Sequence, residues 1–213
     1  MHRLRSRKNR GFTIIEFTIV AALLGILALI ALPNFTRFQT NARQGEAKAN
    51  LKAWFSAQRA YHQNTGMYSE RVHAVGFLPE RGNRYAYYFS SSLNCITRDA
   101  SGVTDPPNAN CITVDTAEFY ANPMPYAFLP SVLWYEGAGM DPGMPGLGGC
   151  TTGIGCNISG LAVGDIDDNF RDNDTWWIST KDASSIRSYC GNAETESVAG
   201  EPYLAYNDID CAP

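Results

Sequence analysis

The spacing of hydrophobic and polar positions changes twice along the 213-residue chain. From Phe12 to Leu32 the sequence is apolar apart from Thr13, Thr18 and one charge, Glu16. As a helix this run spans about 30 Å, the thickness of a bilayer core. After Pro33 the apolar residues thin out to one stripe at offsets of three and four: Ala47, Leu51, Trp54, Phe55, Ala57 and Tyr61. Arg37, Arg43, Glu46, Lys48, Lys52 and Arg59 take the other faces, and Gly66 stands where a helix C-cap belongs. The pattern predicts one helix of about 50 residues, roughly 75 Å long, apolar all round in its first half and amphipathic in its second. Its aromatic stripe is core, packed on a sheet.

Beyond Gly66 the pattern shortens to strands separated by Gly, Pro, Asn and Asp clusters. Residues 84–90 form an aromatic-rich strand and residues 110–121 a second. Residues 160–182 read as strand, acidic loop, strand. Residues 136–157, "EGAGMDPGMPGLGGCTTGIGCN", have no period and read as a long exposed loop. One long N-terminal helix packed on a C-terminal antiparallel sheet with long loops is an α+β fold. The segments are a basic leader (1–11), an apolar membrane helix (12–33), an amphipathic helix half (34–66) and a globular sheet domain (67–213).

Charge sharpens this reading. The leader MHRLRSRKNRG holds five of the 17 Lys and Arg and no acid, leaving 12 Lys and Arg against 21 Asp and Glu, a balance of −9. A basic leader before an apolar segment orients the chain with its start in the cytoplasm. The acidic remainder argues against a broad nucleic-acid-binding surface. A cleaved secretory signal fits poorly, because the run is long and no A-x-A site closes it. A plain membrane anchor leaves Glu16 unexplained, since a carboxylate costs about 2.5–3.5 kcal/mol at the centre of a membrane helix. A cut after Gly11 supplies the missing partner: Phe12 then carries an ammonium group one helical turn from Glu16, in the same chain or in a neighbouring copy.

A short basic leader ending in Gly, then Phe, three residues, Glu and an apolar run resembles the processing motif of type IVa pilins. "GFTIIEFTIVAALLGILALIALPNF" matches that motif almost throughout, with Ile15 and Phe17 as small departures. The resemblance implies the type IV pilin fold and prepilin peptidase cleavage between Gly11 and Phe12. It also implies N-methylation of Phe12 and a register-setting role for Glu16 during assembly. Gly25 and Pro33 match the family's helix-weakening positions, and Pro33 predicts a kink. "QGEAKANLKAWFSAQRAYH" and "GFLPERGNRYAYYFS" are similar to the long major pilins of myxobacteria.

Six cysteines, Cys95, Cys111, Cys150, Cys156, Cys190 and Cys211, all follow the apolar segment and so face an oxidising space. Sequence leaves their connectivity open. Pairing of neighbours is expected, because each pair brackets a loop-like segment. By the resemblance, Cys190 and Cys211 are the counterpart of the pilin C-terminal disulfide. The stretch "GDIDDNFRDNDTW" offers oxygen ligands at Asp165, Asp167, Asn169 and Asp172 for a hard cation such as calcium. It is not an EF-hand loop: Phe170 replaces the turn Gly and Trp176 the bidentate Glu. A solvated acidic hairpin loop, with no cofactor, is the other reading. His2, His62 and His73 fall in no metal-ligand spacing, and no nucleophile elbow, phosphate loop or zincin motif occurs.

The expected protein is not an enzyme. It is the major subunit of a type IVa pilus, inserted in the inner membrane as a precursor and then assembled into a helical homo-oligomeric filament on the cell surface. Its expected partners are other copies, the prepilin peptidase, the inner-membrane assembly machinery and surfaces such as polysaccharide, with no nucleic acid. Retraction, twitching motility and adhesion follow from the resemblance. A minor pilin or type II secretion pseudopilin is one alternative, and a membrane-anchored calcium-binding extracytoplasmic domain is another.

Overall fold

The computed structural model describes residues 12–134, 157–168, 172–209 and 211, with the side chains of 30–37, 133, 134 and 185 outside the description. The chain divides into two compact units, Met1–Asn41 and Ala42–Pro213. Helix α1 (Ile14–Thr65) runs for 52 residues, with Gly25 and Pro33 both in helical backbone. Gly66 ends it with φ +74°, and its N–H reaches the His62 carbonyl at 2.8 Å. That left-handed conformation is cheap for glycine, as the C-cap reading requires.

After the one-turn helix α2 (Val72–Val75) come nine strands among the described residues. They are β1 (Ala86–Tyr88), β2 (Cys95–Asp99), β3 (Gly102–Thr104), β4 (Cys111–Asp115), β5 (Ser131–Trp134), β6 (Ser159–Gly164), β7 (Asp174–Ser179), β8 (Ala183–Arg187) and β9 (Tyr203–Tyr206). Seven of them form a sheet in the order β3-β2-β4-β1-β6-β7-β9, while β5 and β8 form a second. The pairings are antiparallel with one exception, β2 with β4. The exception follows from the path of the chain. β2 turns back into β3, and the next strand docks on the free edge of β2 with its direction restored. A parallel pair needs such a crossover.

The large sheet is buried on both faces. Tyr87, Phe89, Ile112, Ala162, Trp176 and Ile178 share a core with Ala47, Leu51 and Trp54 of α1. Ala86, Tyr88, Leu161, Val163 and Trp177 join Ala183 and Ile186 of β8 on the opposite face. Alternate residues of a strand point to opposite faces, so Trp176 and Trp177 serve different cores. Full burial of β6 and β7 follows. Trp54 stacks on Phe89 with centroids 4.8 Å apart and planes at 8°. That pair lies against Gly160, where a Cβ would stand 3.0 Å from the Phe89 ring and 3.2 Å from Trp54. Glycine there lets the aromatic layer sit directly on the strand backbone.

Two buried polar side chains extend the α1 stripe. Gln58 donates to the Ser69 carbonyl and accepts from the Ser69 N–H, pinning the chain after the helix. Gln44 donates to Asp174 at 3.1 Å. Asp174 also accepts from Tyr85 Oη at 2.7 Å and Trp176 Nε1 at 2.6 Å, and burial raises its carboxyl to about 6 despite these donors.

Candidate functional site

The N-terminal segment presents an uncovered apolar surface. From Phe12 to Leu29 every large apolar side chain is between 49% and 85% exposed. Covering each contributes roughly 1.5–3 kcal/mol, so the segment favours lipid or further helices of its own kind. Among the described residues no helix is long and apolar enough to cross a membrane. The apolar run of the sequence continues past Leu29 to Leu32.

Glu16 has a partner that the sequence reading missed. The Thr13 backbone N–H donates to Glu16 Oε2 at 2.9 Å and the Thr13 hydroxyl donates to the same oxygen at 2.7 Å. In return the Glu16 N–H donates to Thr13 Oγ1 at 3.2 Å. This is a capping box, with Thr13 as N-cap and Glu16 three residues on. Its signal, T-x-x-E before an apolar run, was legible in the sequence. Only Oε2 of Glu16 accepts these bonds, so Oε1 stays open to a further donor. Phe12 stands exposed just ahead of the cap, and Gly11 lies outside the described residues.

The second candidate site forms where the β6–β7 loop meets the chain after β9. Asp165, Asp167 and Asp208 bring carboxylate oxygens within 4.8 Å of one another. Asp208 comes from 40 residues beyond Asp168, delivered by the pairing of β7 with β9, and no local pattern announces it. Its Oδ2 accepts from the Ile166 N–H at 3.1 Å, which ties the two loops together. Asp165 accepts from the Asp168 N–H at 2.7 Å, closing a turn in which Asp168 takes φ +62°. Asp168 itself faces Arg84 at 3.0 Å and Arg43 at 3.5 Å. Arg43 also donates to the Ile166 carbonyl.

Of the four ligands expected from sequence, Asp165 and Asp167 therefore meet. Asn169 lies outside the described residues. Asp172 accepts from the Tyr206 hydroxyl and lies beside Asp208. Asp165 is 7% exposed and Asp172 6%, so the acidic stretch is buried towards its two ends, while Asp167 and Asp168 between them are exposed, and Asp208 from the other loop is 3% exposed. Burial raises the Asp208 carboxyl well above the usual range, and the nearby Asp167 and Asp172 carboxylates raise it further.

Two of the three expected disulfides are present. Cys95 and Cys111 face each other across the parallel β2–β4 pair with Cα atoms 4.4 Å apart. Cys190 and Cys211 join the end of the chain to the segment after β8, 5.8 Å between Cα atoms. The pairing of Cys150 with Cys156 lies outside the described residues.

Comparison with known proteins agrees with this arrangement. The family model described as type IV pilin PilA matches residues 38–173, and the prokaryotic N-terminal methylation motif matches residues 6–32. The chain is 37% identical over 215 residues to the type IV major pilin protein PilA of Myxococcus xanthus, covering 96% of this chain and 94% of that one. It is 37% identical over 68 residues to the type IV major pilin protein PilE1 of Neisseria gonorrhoeae, covering 32% and 41%. It is 32% identical over 77 residues to the fimbrial protein EcpC of Eikenella corrodens, covering 36% and 50%. The shorter likenesses span about a third of the chain, whereas the first runs through helix and sheet alike. With a family match over more than half its length and a relative aligned nearly end to end, the chain belongs to the type IV pilin family.

Proposed function

We infer that this pilin is the major structural subunit of a type IV pilus and that its N-terminal helix does the assembling. The near full-length likeness to a major pilin supports this over a minor pilin or a pseudopilin. The observation that carries the assembly reading is the uncovered apolar helix with one carboxylate at its start. Prepilin peptidase cuts after Gly11, and the new Phe12 amine is methylated. The precursor waits in the inner membrane with its basic leader cytoplasmic, and the assembly machinery then extracts it. In the filament the apolar helices cover one another and the sheet domains form the surface. Glu16 receives the Phe12 ammonium of an adjacent copy at Oε1. A mis-registered copy leaves that charge buried and unpaired, which is expensive. Gly25 and Pro33 weaken the helix where the filament stretches. The role is structural rather than catalytic, and retraction of such a filament supports twitching motility and adhesion to surfaces, polysaccharide among them.

The intact mass of protein sheared from cells tests the processing. A mass equal to residues 12–213 plus one methyl and minus six hydrogens is expected. Recovery of the chain only from membranes, with its leader intact, overturns the reading. Glu16→Ala should leave membrane insertion unchanged and abolish sheared filaments, and normal piliation in that variant overturns the role of Glu16.

A further inference from the structure

Within the cluster of Asp165, Asp167 and Asp208, one atom lacks an account. Asp208 is 3% exposed, and its Oδ1 is buried without a hydrogen-bond partner. Among the described residues no ion pair involves Asp208. The two nearby arginines, Arg43 and Arg84, direct their ion pairs to Asp168. Asp172 lies beside Asp208, and a buried carboxylate oxygen with no donor among neighbouring carboxylates calls for a proton or a cation.

We propose that Asp165, Asp167 and Asp208 hold one calcium ion, which clamps the chain after β9 to the β6–β7 loop. The donor set is oxygen only, with no thiolate or imidazole, and so selects a hard cation. Calcium–oxygen distances are about 2.3–2.6 Å, so ligands on opposite sides of the ion stand about 5 Å apart. A set of oxygens within 4.8 Å of one another has the spacing such an ion requires. Magnesium, with ligands at about 2.0–2.1 Å and a strict octahedron, fits two irregular loops less well. Asp165 and Asp208 are buried while Asp167 is exposed, which leaves the Asp167 side open for entry and for water ligands. The Ile166 N–H bond to Asp208 and the Cys190–Cys211 disulfide already hold the two loops near this geometry.

This ligand set differs from the one the local sequence offers. It replaces the alternate-position ligand Asn169 with a carboxylate from the other end of the sheet domain. The site does not depend on the assembly reading, because its ligands all lie in the unit Ala42–Pro213.

Sheared pili, stripped with a chelator and dialysed, provide the test. Bound calcium per chain is measured by equilibrium dialysis, and thermal unfolding is followed with calcium, with magnesium and with chelator. The expectation is about one calcium per chain and a midpoint raised by about 5–10 °C at a calcium concentration a hundredfold above Kd. Asp208→Asn and Asp167→Asn should each remove most of both effects, while the exposed control Glu196→Gln should keep them. Where Asp208→Asn yields no filaments, Asp167→Asn decides, since its side chain is exposed. Equal midpoints in calcium and chelator, an equal rise with magnesium, or full calcium binding by Asp167→Asn overturns the proposal.

Discussion

Trp54 tests whether the face of α1 is held to the sheet as described. Its side chain is fully buried and stacked on Phe89, and its indole Nε1 is buried without a hydrogen-bond partner. A tryptophan buries about 150–250 Å², worth about 4–6 kcal/mol at 25 cal/mol per Å². Stacking adds about 1 kcal/mol. The unbonded N–H subtracts about 1–3 kcal/mol, because that group loses its water on folding. Trp54→Ala should therefore cost about 3–5 kcal/mol. Trp54→Phe keeps a ring over Phe89, creates a small cavity and removes the unbonded N–H. These effects offset, so the stability should stay within about 1 kcal/mol of the parent. Urea unfolding of the fragment starting at Ala42, followed by far-UV circular dichroism, measures both. A loss above 2 kcal/mol in Trp54→Phe would show that the indole is hydrogen-bonded after all. A loss below 1 kcal/mol in Trp54→Ala would show that the helix face is not core.

Two further outcomes follow from the sheet domain. Arg81 donates to Asp115 from Nε at 2.9 Å and Nη2 at 3.0 Å, the Gly82 N–H adds a third bond, and together these hold the buried carboxyl at about 2. A depressed carboxyl stabilises the fold above its unfolded value near 4 and loses that contribution as pH falls towards 2. After allowance for solvent around half-exposed Arg81, the loss is about 1–2 kcal/mol. Asp115→Asn should flatten the unfolding curve between pH 4 and 2, and an unchanged acid limb refutes the pairing. Replacing Cys190 and Cys211 together by Ser should cost about 2–4 kcal/mol in the same urea assay, and unchanged stability would show that the loop they close is held by other contacts.

Local periodicity revealed the elements that obey one simple rule. The α1 stripe was legible because Ala47, Leu51 and Trp54 recur at helical spacing and are all fully buried. Gln44 and Gln58 share that face without belonging to the apolar pattern, since hydropathy does not reveal that a buried amide has found its partners at Asp174 and Ser69. β6 and β7 were legible as apolar runs flanking an acidic loop. β2, β3, β5, β8 and β9 are three to five residues each, too short for a period, and their pairing is decided by neighbours distant in sequence. The same limit hid Asp208. The acidic stretch announced oxygen ligands, but burial and the third carboxylate come from the β7–β9 register.

Glu16 joins the two levels of description. A carboxylate offers two oxygens and about four acceptor positions. In the single chain the capping box occupies Oε2 twice and leaves Oε1 without a described bond. The cap does more than satisfy Thr13. It fixes the Glu16 side chain before any neighbour arrives, so part of its ordering cost is met in advance. An N-terminal amine that approaches Oε1 then adds to the cap instead of competing with it. This eases the difficulty of a charge in an apolar run: the Thr13 bonds hold the Glu16 carboxylate at the helix start, and under the proposed assembly its other oxygen is left for the amine of a neighbouring copy. The acid stands three residues after a threonine, the spacing that makes the cap.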